Sequence, residues 1–560
     1  MLLVALMAGS TPRRVGDGTE YVEMASQIAA VHAPGVQTHF WLYPALAAPF
    51  VAVTGAAGLP AEYGFAALNV LLLSGAFWVV TARFSRPLAF LLFSGPIIWW
   101  IDKPHTEVLT FATMSVAVVL LDEAPWWSVL ALGVGAMQNL AMAPLVALAA
   151  AVAVWRRTRL LGERRFWVSL AVSAALVVIN VLYYRLATGT VPIVNATIRA
   201  VPNVDEIGVV LWDLNVGLIP AFPLLAALVI AGLVSLARRP PASWPAGALM
   251  FSACAALGLI AAFSQTPNYN HGGTFGMSRY GLWLIPLAMP LLGRLDPDVS
   301  SPRRWVVVVA LVSSVWSAFA FHPGRPEQAY LSPTRLARFL WTRFPGVSNP
   351  IPEVFVERLS GTEMHWLVPV ATARCEKVLL TGRPDFSMWP LPCPPTPVPA
   401  WCHDPGRFCY ANFNGRSYSF VRVRPPSFTN YRFDRDRAWP LAVEGVVGDE
   451  LRALRWWQLE PIEPGSDGDV VLDTREMRRL AGWRGDHRLF LYLEPRTDDS
   501  GAPLSSSVTL RVAEEMSGHF KDAETGVLLD RVTIGGSDPA VLALPAGHRY
   551  LILVLLAPSS

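Results

Sequence analysis

An acidic residue between two glycines lies near the start of the chain, in the run Gly16-Asp17-Gly18-Thr19-Glu20-Tyr21. Glycine lets the backbone turn sharply and lets a ligand approach closely. A carboxylate held in such a loop can accept a proton from a reacting hydroxyl group, which makes Asp17 a candidate general base. The same pattern also fits a helix N-cap, in which Asp17 or Thr19 caps a helix that begins near Glu20. Both interpretations stay open on these residues alone.

Further ionisable and aromatic side chains stand where apolar runs begin or end. Charged groups are costly at membrane depth, so their presence there usually marks a functional site. With Asp17, we predict His105 and Glu107 to be catalytic, because they can position a hydroxyl group or assist Asp17. We predict substrate-binding roles for Glu20, Tyr21, His39, Asp102, Lys103, His271, Arg279 and Tyr280.

Each of these predictions has a plainer alternative. The segment Asp102–Glu107 can be a solvated loop with a local Asp102–Lys103 ion pair. Arg279 begins a late apolar run, where its side chain can simply reach out to the membrane surface. Its planar and permanently charged guanidinium also suits a pair of phosphate oxygens, and phosphate binding is the role we predict. His271 and Tyr280 are weaker candidates for that task.

The elements that carry these residues are strongly apolar. Of the 560 residues, 53% are hydrophobic and 16% are charged, against about 25% charged in soluble proteins. The composition changes near Phe321, which predicts a membrane domain over residues 1–321 and a soluble domain over residues 322–560. The net charge of +3 and the lack of a basic, aromatic-rich block argue against nucleic-acid binding. No P-loop, metalloprotease or Ser-His-Asp pattern is present.

The apolar runs predict a polytopic helical domain of about ten or eleven crossings. The run Trp126–Trp155 is long for one span and is expected to be two helices broken near Gln138–Pro144. The runs are Tyr43–Gly58, Ala66–Val80, Leu88–Trp100, Val108–Leu121, Trp126–Trp155, Phe166–Leu186, Val216–Leu236, Ala246–Phe263, Tyr280–Leu292 and Trp305–Phe321.

Four arginine-rich loops predict the orientation of the chain, because short loops rich in Lys and Arg stay in the cytoplasm. All four loops are cytoplasmic if Tyr43–Gly58 does not cross fully and Trp126–Trp155 is two helices. Asp17, His39, His105, Arg279 and the C-terminal domain then lie on the outer side. The loops are formed by Arg83 and Arg86, by Arg156 to Arg165, by Arg238 and Arg239, and by Arg294 to Arg304.

The C-terminal part is predicted to be mainly β and sandwich-like, with short alternating runs separated by turn residues. Four of its cysteines lie close together, which favours two disulfides in an oxidising compartment over a zinc site. Three pairings of Cys375, Cys393, Cys402 and Cys409 are possible, and Cys254 is expected to be a small core residue. The β-runs are Lys377–Leu380, Ser417–Val423, Val470–Leu472, Leu489–Leu493, Ser507–Val512, Val527–Ile534 and Tyr550–Leu556.

Residues 1–321 resemble the GT-C glycosyltransferases, which are polytopic membrane enzymes, and in particular their mannosyltransferase-like members. The resemblance rests on the early loop Asp17, the Tyr43-Pro44 segment, the His105-x-Glu107 cluster and the late Arg279-Tyr280 pair. It implies transfer of a sugar from a polyprenyl-phosphate carrier, with Asp17 as the catalytic base and Arg279 on the carrier phosphate. It also implies an integral protein of the cytoplasmic (inner) membrane, whose periplasmic domain shapes binding of the acceptor.

Two functions from different classes remain. The first is a glycosyltransferase, embedded in the lipid bilayer, that moves a sugar from a polyprenyl-phosphate-linked donor to an envelope glycan or lipid acceptor on the extracytoplasmic side. No metal site or cofactor is expected, although a divalent cation such as Mg²⁺ stays open. The alternative is a transporter or flippase of a lipid-linked glycan. A transporter is expected to show repeated halves with broken helices, and the sequence shows no repeat.

Overall fold

A computed structural model describes the chain over residues 10–15, 17–34, 39–188, 207–238, 246–264, 274, 276–297, 301–325, 331–360, 370–381, 393, 396–402 and 408–423. After residue 423 it describes nine strand segments, at 443–447, 450–452, 469–471, 487–493, 507–511, 516–522, 528–534, 540–543 and 551–557. The chain divides into two compact units, Met1–Ala337 and Arg338–Ser560. The domain border that composition predicts, at residues 321–322, falls inside the first unit.

The first unit is helical. Its α-helices are α1 Gly18–Ala29, α2 Leu42–Ala56, α3 Ala61–Thr81, α4 Arg86–Phe93, α5 Glu107–Leu120, α6 Pro125–Gln138, α7 Ala143–Arg156, α8 Arg164–Thr188, α9 Val209–Trp212, α10 Leu218–Ala221, α11 Pro223–Arg238, α12 Ala246–Phe263, α13 Arg279–Leu284, α14 Met289–Leu292 and α15 Arg304–Ala320. Helix α16, Arg335–Arg343, spans the border between the units, and α17, Pro352–Ser360, belongs to the second.

Three described helices are long and apolar enough to cross a membrane: Ala61–Thr81, Arg164–Leu186 and Ala246–Phe263. Large apolar side chains are exposed on them, such as Trp78 at 77% and Leu257 at 71%. Lipid is the solvent in which such exposure costs little, so these helices support association with a membrane.

Six further apolar helices are shorter, with 10–17 residues each. A helix of 17 residues extends about 25 Å at 1.5 Å per residue, less than the roughly 30 Å hydrocarbon core of a bilayer. The predicted number of ten or eleven crossings therefore stays a prediction. These helices are Leu42–Ala56, Glu107–Leu120, Leu140–Arg156, Pro223–Arg238, Arg279–Leu292 and Arg304–Ala320.

The expected break in the long run Trp126–Trp155 is confirmed. Helix α6 ends at Gln138, a single 3₁₀ turn covers Leu140–Met142, and α7 begins at Ala143. Pro144 stands in the first turn of α7, where its missing N–H group costs nothing. At this break the Gln138 side chain accepts a hydrogen bond from the backbone N–H of Tyr43 and donates one to the carbonyl oxygen of Phe40. The end of α6 therefore holds the chain where α2 begins.

Helix α1 packs through an apolar face onto α2, α3 and α5. Tyr21, Met24 and Ala25 are buried in one cluster with side chains that include Tyr43 and Phe65. Because α1 is fixed to three neighbours, the residues at its N-terminal end are held in place relative to the start of α5. This packing positions Asp17 and the residues around it.

One buried amide holds the segment before α5. Asn69 Nδ2 donates to the main-chain oxygens of Trp100, Ile101 and Lys103 at 3.2, 3.3 and 2.9 Å. Tyr43 donates its hydroxyl proton to Asn69 Oδ1 at 2.8 Å. Helices α2 and α3 thereby fix the backbone immediately before His105.

The second unit carries short strands. They are β1 Val370–Ala371, β2 Lys377–Thr381, β3 Phe408–Phe413, β4 Tyr418–Val423, β5 Val443–Val447, β6 Glu450–Arg452, β7 Asp469–Val471, β8 His487–Leu493, β9 Ser507–Arg511, β10 Met516–Asp522, β11 Leu528–Ile534, β12 Ala540–Ala543 and β13 Leu551–Ala557. The sheets are mainly antiparallel, with the orders β1-β2-β3-β4, β11-β10-β13-β8-β5-β6 and β12-β9-β7, and one pair, β7 with β9, is parallel. A sandwich of two packed sheets stays a prediction.

In the four-stranded sheet, local residues explain the turn between β3 and β4. Gly415 adopts φ +94°, a conformation that favours glycine, and makes the turn between β3 and β4. Asn414 Oδ1 accepts hydrogen bonds from the backbone N–H groups of Arg416 and Ser417 in that turn. Strand β3 is paired on both sides and is almost fully buried, whereas β4 at the edge alternates in exposure.

The predicted disulfides are present in the second unit. The pairs are Cys375–Cys393 and Cys402–Cys409, so the alternative of a zinc site formed by these cysteines is wrong. All four residues belong to one buried cluster with Val378 and Leu380. The expectation for Cys254 is also wrong, because this residue is exposed on α12. An apolar run gives no information about which of its faces points outward.

Candidate functional site

Three nitrogen groups from distant parts of the first unit meet on one oxygen of Asp17. Arg279 Nη1 donates to Asp17 Oδ2 at 3.2 Å. His39 Nε2 and His105 Nε2 lie 3.5 and 3.4 Å from the same oxygen. Among the described residues no hydrogen bond reaches Asp17 Oδ1, and the side chain is 28% exposed.

Each of these side chains lies at or just before the start of a helix. Asp17 directly precedes α1, and its side chain makes no capping hydrogen bond. Arg279 is the first residue of α13, and His105 stands two residues before α5. The cap interpretation therefore accounts for the place of Asp17 in the chain but not for its side-chain contacts.

His39 links Asp17 to a second carboxylate. Its Nδ1 lies 2.7 Å from Glu20 Oε2, and its backbone N–H donates to Glu20 Oε1 at 2.8 Å. Glu20 is 5% exposed, and one turn of α1 separates it from Asp17. The imidazole is thus held between two carboxylates, one buried and one half-buried.

His105 has a comparable carboxylate behind it. Its Nδ1 lies 3.7 Å from Glu107 Oε1 and makes no hydrogen bond to a described residue. Glu107 Oε2 accepts a short hydrogen bond of 2.6 Å from the indole N–H of Trp283. His105 and Glu107 are both almost fully buried, at 2% exposure each. This half of the site is closed to water, whereas the half that contains His39 is open.

Arg279 lies between the two carboxylates Asp17 and Glu107. Its Nη1 also lies 3.2 Å from His105 Nε2, and its Nε lies 4.0 Å from Glu107 Oε1 without a hydrogen bond to any described residue. The guanidinium carbon sits 5.5 Å from the centre of the Tyr280 ring. The Arg279 side chain is 16% exposed, so part of its donor fork is accessible.

The electrostatics of the cluster follow from these contacts. Burial alone would raise the pKa of Asp17, but the nearby charges of His39 and Arg279 and a hydrogen bond from His105 hold it well below its usual value. Burial alone would lower the pKa of His39, but Asp17 and Glu20 outweigh burial and raise it. In the free protein these contacts favour the ionised carboxylate of Asp17, which makes it a weak base, and they favour the protonated imidazole of His39.

Two predicted site residues lie in a different setting. Asp102 and Lys103 are fully buried and pair with each other, Nζ to Oδ1, at 2.5 Å. Lys103 Nζ also donates to the carbonyl oxygens of Trp99 and Pro323 at 2.7 and 2.8 Å. A substrate role for this pair stays a prediction, and the function proposed below does not use it.

The remaining predicted residues divide into two groups. The Tyr21 ring packs against the rings of His39 and His105, with centroids 5.2 and 5.8 Å away, and Tyr280 stacks on Phe263. His271 and Gly16 lie outside the described residues.

Trp283 is a site residue that sequence reasoning missed. Arg279 and Trp283 are four residues apart on one helical turn, and both contact Glu107. That spacing was the available signal, because residues at i and i+4 share a helix face.

Within the described part of the chain, no group of three or more His, Cys, Asp or Glu side chains has an arrangement suited to a metal ion. A divalent cation as cofactor stays a prediction that this finding does not decide.

Comparison of the chain with protein-family models, with curated proteins and with solved structures found no match in any of the three.

Proposed function

We propose that the protein is a membrane glycosyltransferase that moves a sugar from a polyprenyl-phosphate carrier to an envelope glycan or lipid acceptor. The observation that carries this proposal is the contact of Arg279 with Asp17, 3.2 Å apart across 262 residues of sequence. This contact places Arg279, a cation suited to phosphate, beside Asp17, the candidate base, in one partly exposed site. Such a pair is what transfer from a lipid phosphate requires.

The reaction uses the two residues in opposite roles. The acceptor oxygen attacks the anomeric carbon as the bond from that carbon to the phosphate oxygen breaks. The acceptor proton passes to the Asp17 carboxylate, and the carrier phosphate leaves with the bonding electrons. A positioned general base contributes about 10²–10⁴-fold in rate. Arg279 stabilises the charge that develops on the leaving phosphate.

The two oxygens of Asp17 suit this division of labour. The shortest contacts with Arg279, His39 and His105 all go to Oδ2, whereas no described residue donates a hydrogen bond to Oδ1. Oδ1 is therefore the oxygen assigned to the acceptor hydroxyl. The buried pair of His105 and Glu107 keeps the inner side of Asp17 fixed while the acceptor approaches from the open side.

The location proposed for the enzyme rests on two further observations. Three of the described helices are long and apolar enough to span a membrane, and the second unit has two disulfides. Disulfides persist in oxidising compartments, which supports placing the second unit outside the cytoplasm. We extend this to a polytopic domain of ten or eleven crossings in the inner membrane, followed by a sandwich-like periplasmic domain.

The test is transfer by the purified protein in detergent, with a radiolabelled polyprenyl-phosphate sugar as donor and a membrane lipid extract as acceptor. We expect label to move to the acceptor and transfer to be lost in the Asp17→Asn variant. If vesicles containing the protein instead move the intact labelled donor across the bilayer without transfer, the protein is a flippase and the proposal is wrong.

A further inference from the structure

The resting arrangement around Asp17 poses a problem for a general base. Arg279, His39 and His105 all approach its Oδ2, so positive charge holds the carboxylate in its ionised form. A base so strongly stabilised as the anion takes up a proton poorly. Something must remove part of this positive charge before Asp17 can act.

We propose that the donor phosphate itself removes the charge, by drawing both Arg279 and His39 away from Asp17 when it binds. Asp17 then becomes a competent base only when the donor is in place. This inference rests on the function proposed above and deepens it. It assigns His39 as a second cationic ligand of the phosphate and makes donor binding a precondition for proton transfer.

The geometry favours these two groups and not His105. Arg279 and His39 are the more accessible of the three, with side chains 16% and 30% exposed. Their nitrogens lie within 3.5 Å of one oxygen, so a single phosphate group can contact both. The donor phosphodiester shares one charge between two non-bridging oxygens, so it can accept hydrogen bonds from both cations at once, and the charge on this phosphate grows as its bond to the sugar breaks. His105 is 2% exposed and remains with Asp17.

Glu20 has a positioning role in this scheme. It holds His39 through both the ring nitrogen Nδ1 and the backbone N–H, at 2.7 and 2.8 Å. Its buried negative charge keeps His39 protonated, which is the form that binds an anion. Without Glu20, His39 would lose its proton at a lower pH and donor binding would weaken there.

Within the described part of the chain, the charged or titratable groups that face Asp17 come from four elements. Glu20 lies on α1, His39 before α2, His105 and Glu107 at the start of α5, and Arg279 on α13. The Tyr21 and Tyr280 rings complete the surroundings. Glu107 stays with Trp283 and does not approach the phosphate.

The test compares two pH profiles of transfer by the intact chain, from about pH 3 to 9, so that the range reaches below the usual pKa of an aspartate. The profile of kcat/KM for the donor reports groups of the free enzyme, whereas that of kcat reports the donor complex. We expect the acid limb, which follows Asp17, to lie at higher pH in kcat than in kcat/KM. We expect donor kcat/KM to fall at alkaline pH as His39 loses its proton.

Two variants separate this inference from simpler accounts. His39→Gln should weaken donor binding about tenfold, remove the alkaline fall and reduce the separation of the two acid limbs, of which the part due to Arg279 remains. Glu20→Gln should keep the fall but move it to lower pH, and it serves as the second variant if His39→Gln does not fold. Binding of a short-chain polyprenyl monophosphate, measured by calorimetry without any transfer, should show the same dependence on His39.

The outcomes are distinct. Coincident acid limbs in the unaltered protein, or unchanged monophosphate binding by a folded His39→Gln variant, would overturn this inference and leave the glycosyltransferase proposal standing. Absence of sugar transfer at every pH, with normal binding of the monophosphate, would overturn the proposed function.

Discussion

Two charged clusters lie within three residues of each other in sequence and have opposite characters. In one, Lys103 Nζ donates to Asp102 Oδ1 and to two backbone carbonyl oxygens, with distances of 2.5 to 2.8 Å. In the other, His105 joins Arg279 and His39 around a single oxygen of Asp17, at 3.2 to 3.5 Å. The first is fully buried, and the second is open on one side.

The difference separates a buried ion pair from the cluster that we propose as a ligand site. The Lys103 ammonium meets three acceptors inside the protein, and the one atom of the pair without a hydrogen bond to a described residue, Asp102 Oδ2, is buried. Around Asp17, three nitrogen groups approach one oxygen, and the Arg279 and His39 side chains are partly exposed. Such a half-open cluster of donors is suited to an anion from outside. The number of charged residues in a segment therefore says less than whether their donors can be reached by a ligand.

The largest effect on activity is expected at Asp17. Asp17→Asn keeps the size of the side chain but cannot accept the proton, so turnover should fall by about 10²–10⁴-fold. The unfolding midpoint should change little, because an Asn at the N-cap position is tolerated about as well as Asp. Activity is measured with the labelled donor, and folding by thermal unfolding in detergent. Near-normal transfer would remove Asp17 from the mechanism and make Glu20 and Glu107 the next carboxylates to test.

The buried pair of Asp102 and Lys103, the closed cluster, should affect stability and not activity when it is changed. Lys103→Met leaves the buried carboxylate of Asp102 without its cation, which typically costs about 3–5 kcal/mol of stability. A double change of Lys103→Met and Asp102→Leu should recover most of that loss, since an apolar pair needs no charge compensation. The unfolding midpoints of the three proteins measure this. If the stable double variant retains donor affinity and turnover, the predicted substrate role of the pair is wrong.

Arg279 is expected to have an intermediate effect. Arg279→Ala removes the cation from the phosphate site and should weaken donor binding roughly 10- to 100-fold. Arg279→Lys keeps the charge but loses the planar fork, and it should recover only part of the loss. The matched control is Arg83→Gln, which breaks an exposed 2.8 Å ion pair with Glu123 away from the site and should leave the donor KM unchanged. Equal donor affinity for Arg279→Ala and the unaltered protein would favour the alternative in which Arg279 only reaches the membrane surface.

Much of the candidate site could be predicted from the sequence because its residues are ionisable and stand next to apolar runs, where charged groups are costly. Asp17, His39, His105, Glu107 and Arg279 each stand beside an apolar run, and the structure brings them together. Lys103 and His105 are two positions apart, and the sequence could not show that Lys103 joins the buried ion pair with Asp102 whereas His105 lies beside Asp17. Which way each side chain points is decided by the loop that Asn69 holds, a long-range contact with no local signal.

The fold shows the same limit. All seven predicted β-runs coincide with strands, because alternation and turn residues are local features. Six of the thirteen described strands were missed, β1, β3, β5, β6, β10 and β12. Strand β3 shows one cause, since Phe408–Phe413 is almost fully buried and lacks alternation. The pairing of strands, including the order β11-β10-β13-β8-β5-β6, depends on contacts between distant segments. The number of membrane crossings is hard to predict for another reason. Helix breaks such as Leu140–Met142 divide an apolar run into helices that are shorter than the run itself.

The smallest effect is expected at Trp283, whose indole N–H donates to Glu107 Oε2 at 2.6 Å. Trp283→Phe keeps an aromatic ring but removes the donor, so Glu107 loses the group that fixes its carboxylate beside His105. We expect kcat to fall roughly three- to tenfold with little change in the donor KM, because a hydrogen bond to a charged group is worth about 1.5–3 kcal/mol and part of it is recovered by relaxation. Trp167→Phe is the control, since Trp167 also donates its indole N–H, to Leu161 O at 2.9 Å, but lies outside the site. A fall in stability alone, with kcat unchanged for the folded protein, would show that Trp283 belongs with the closed cluster and not with the open one.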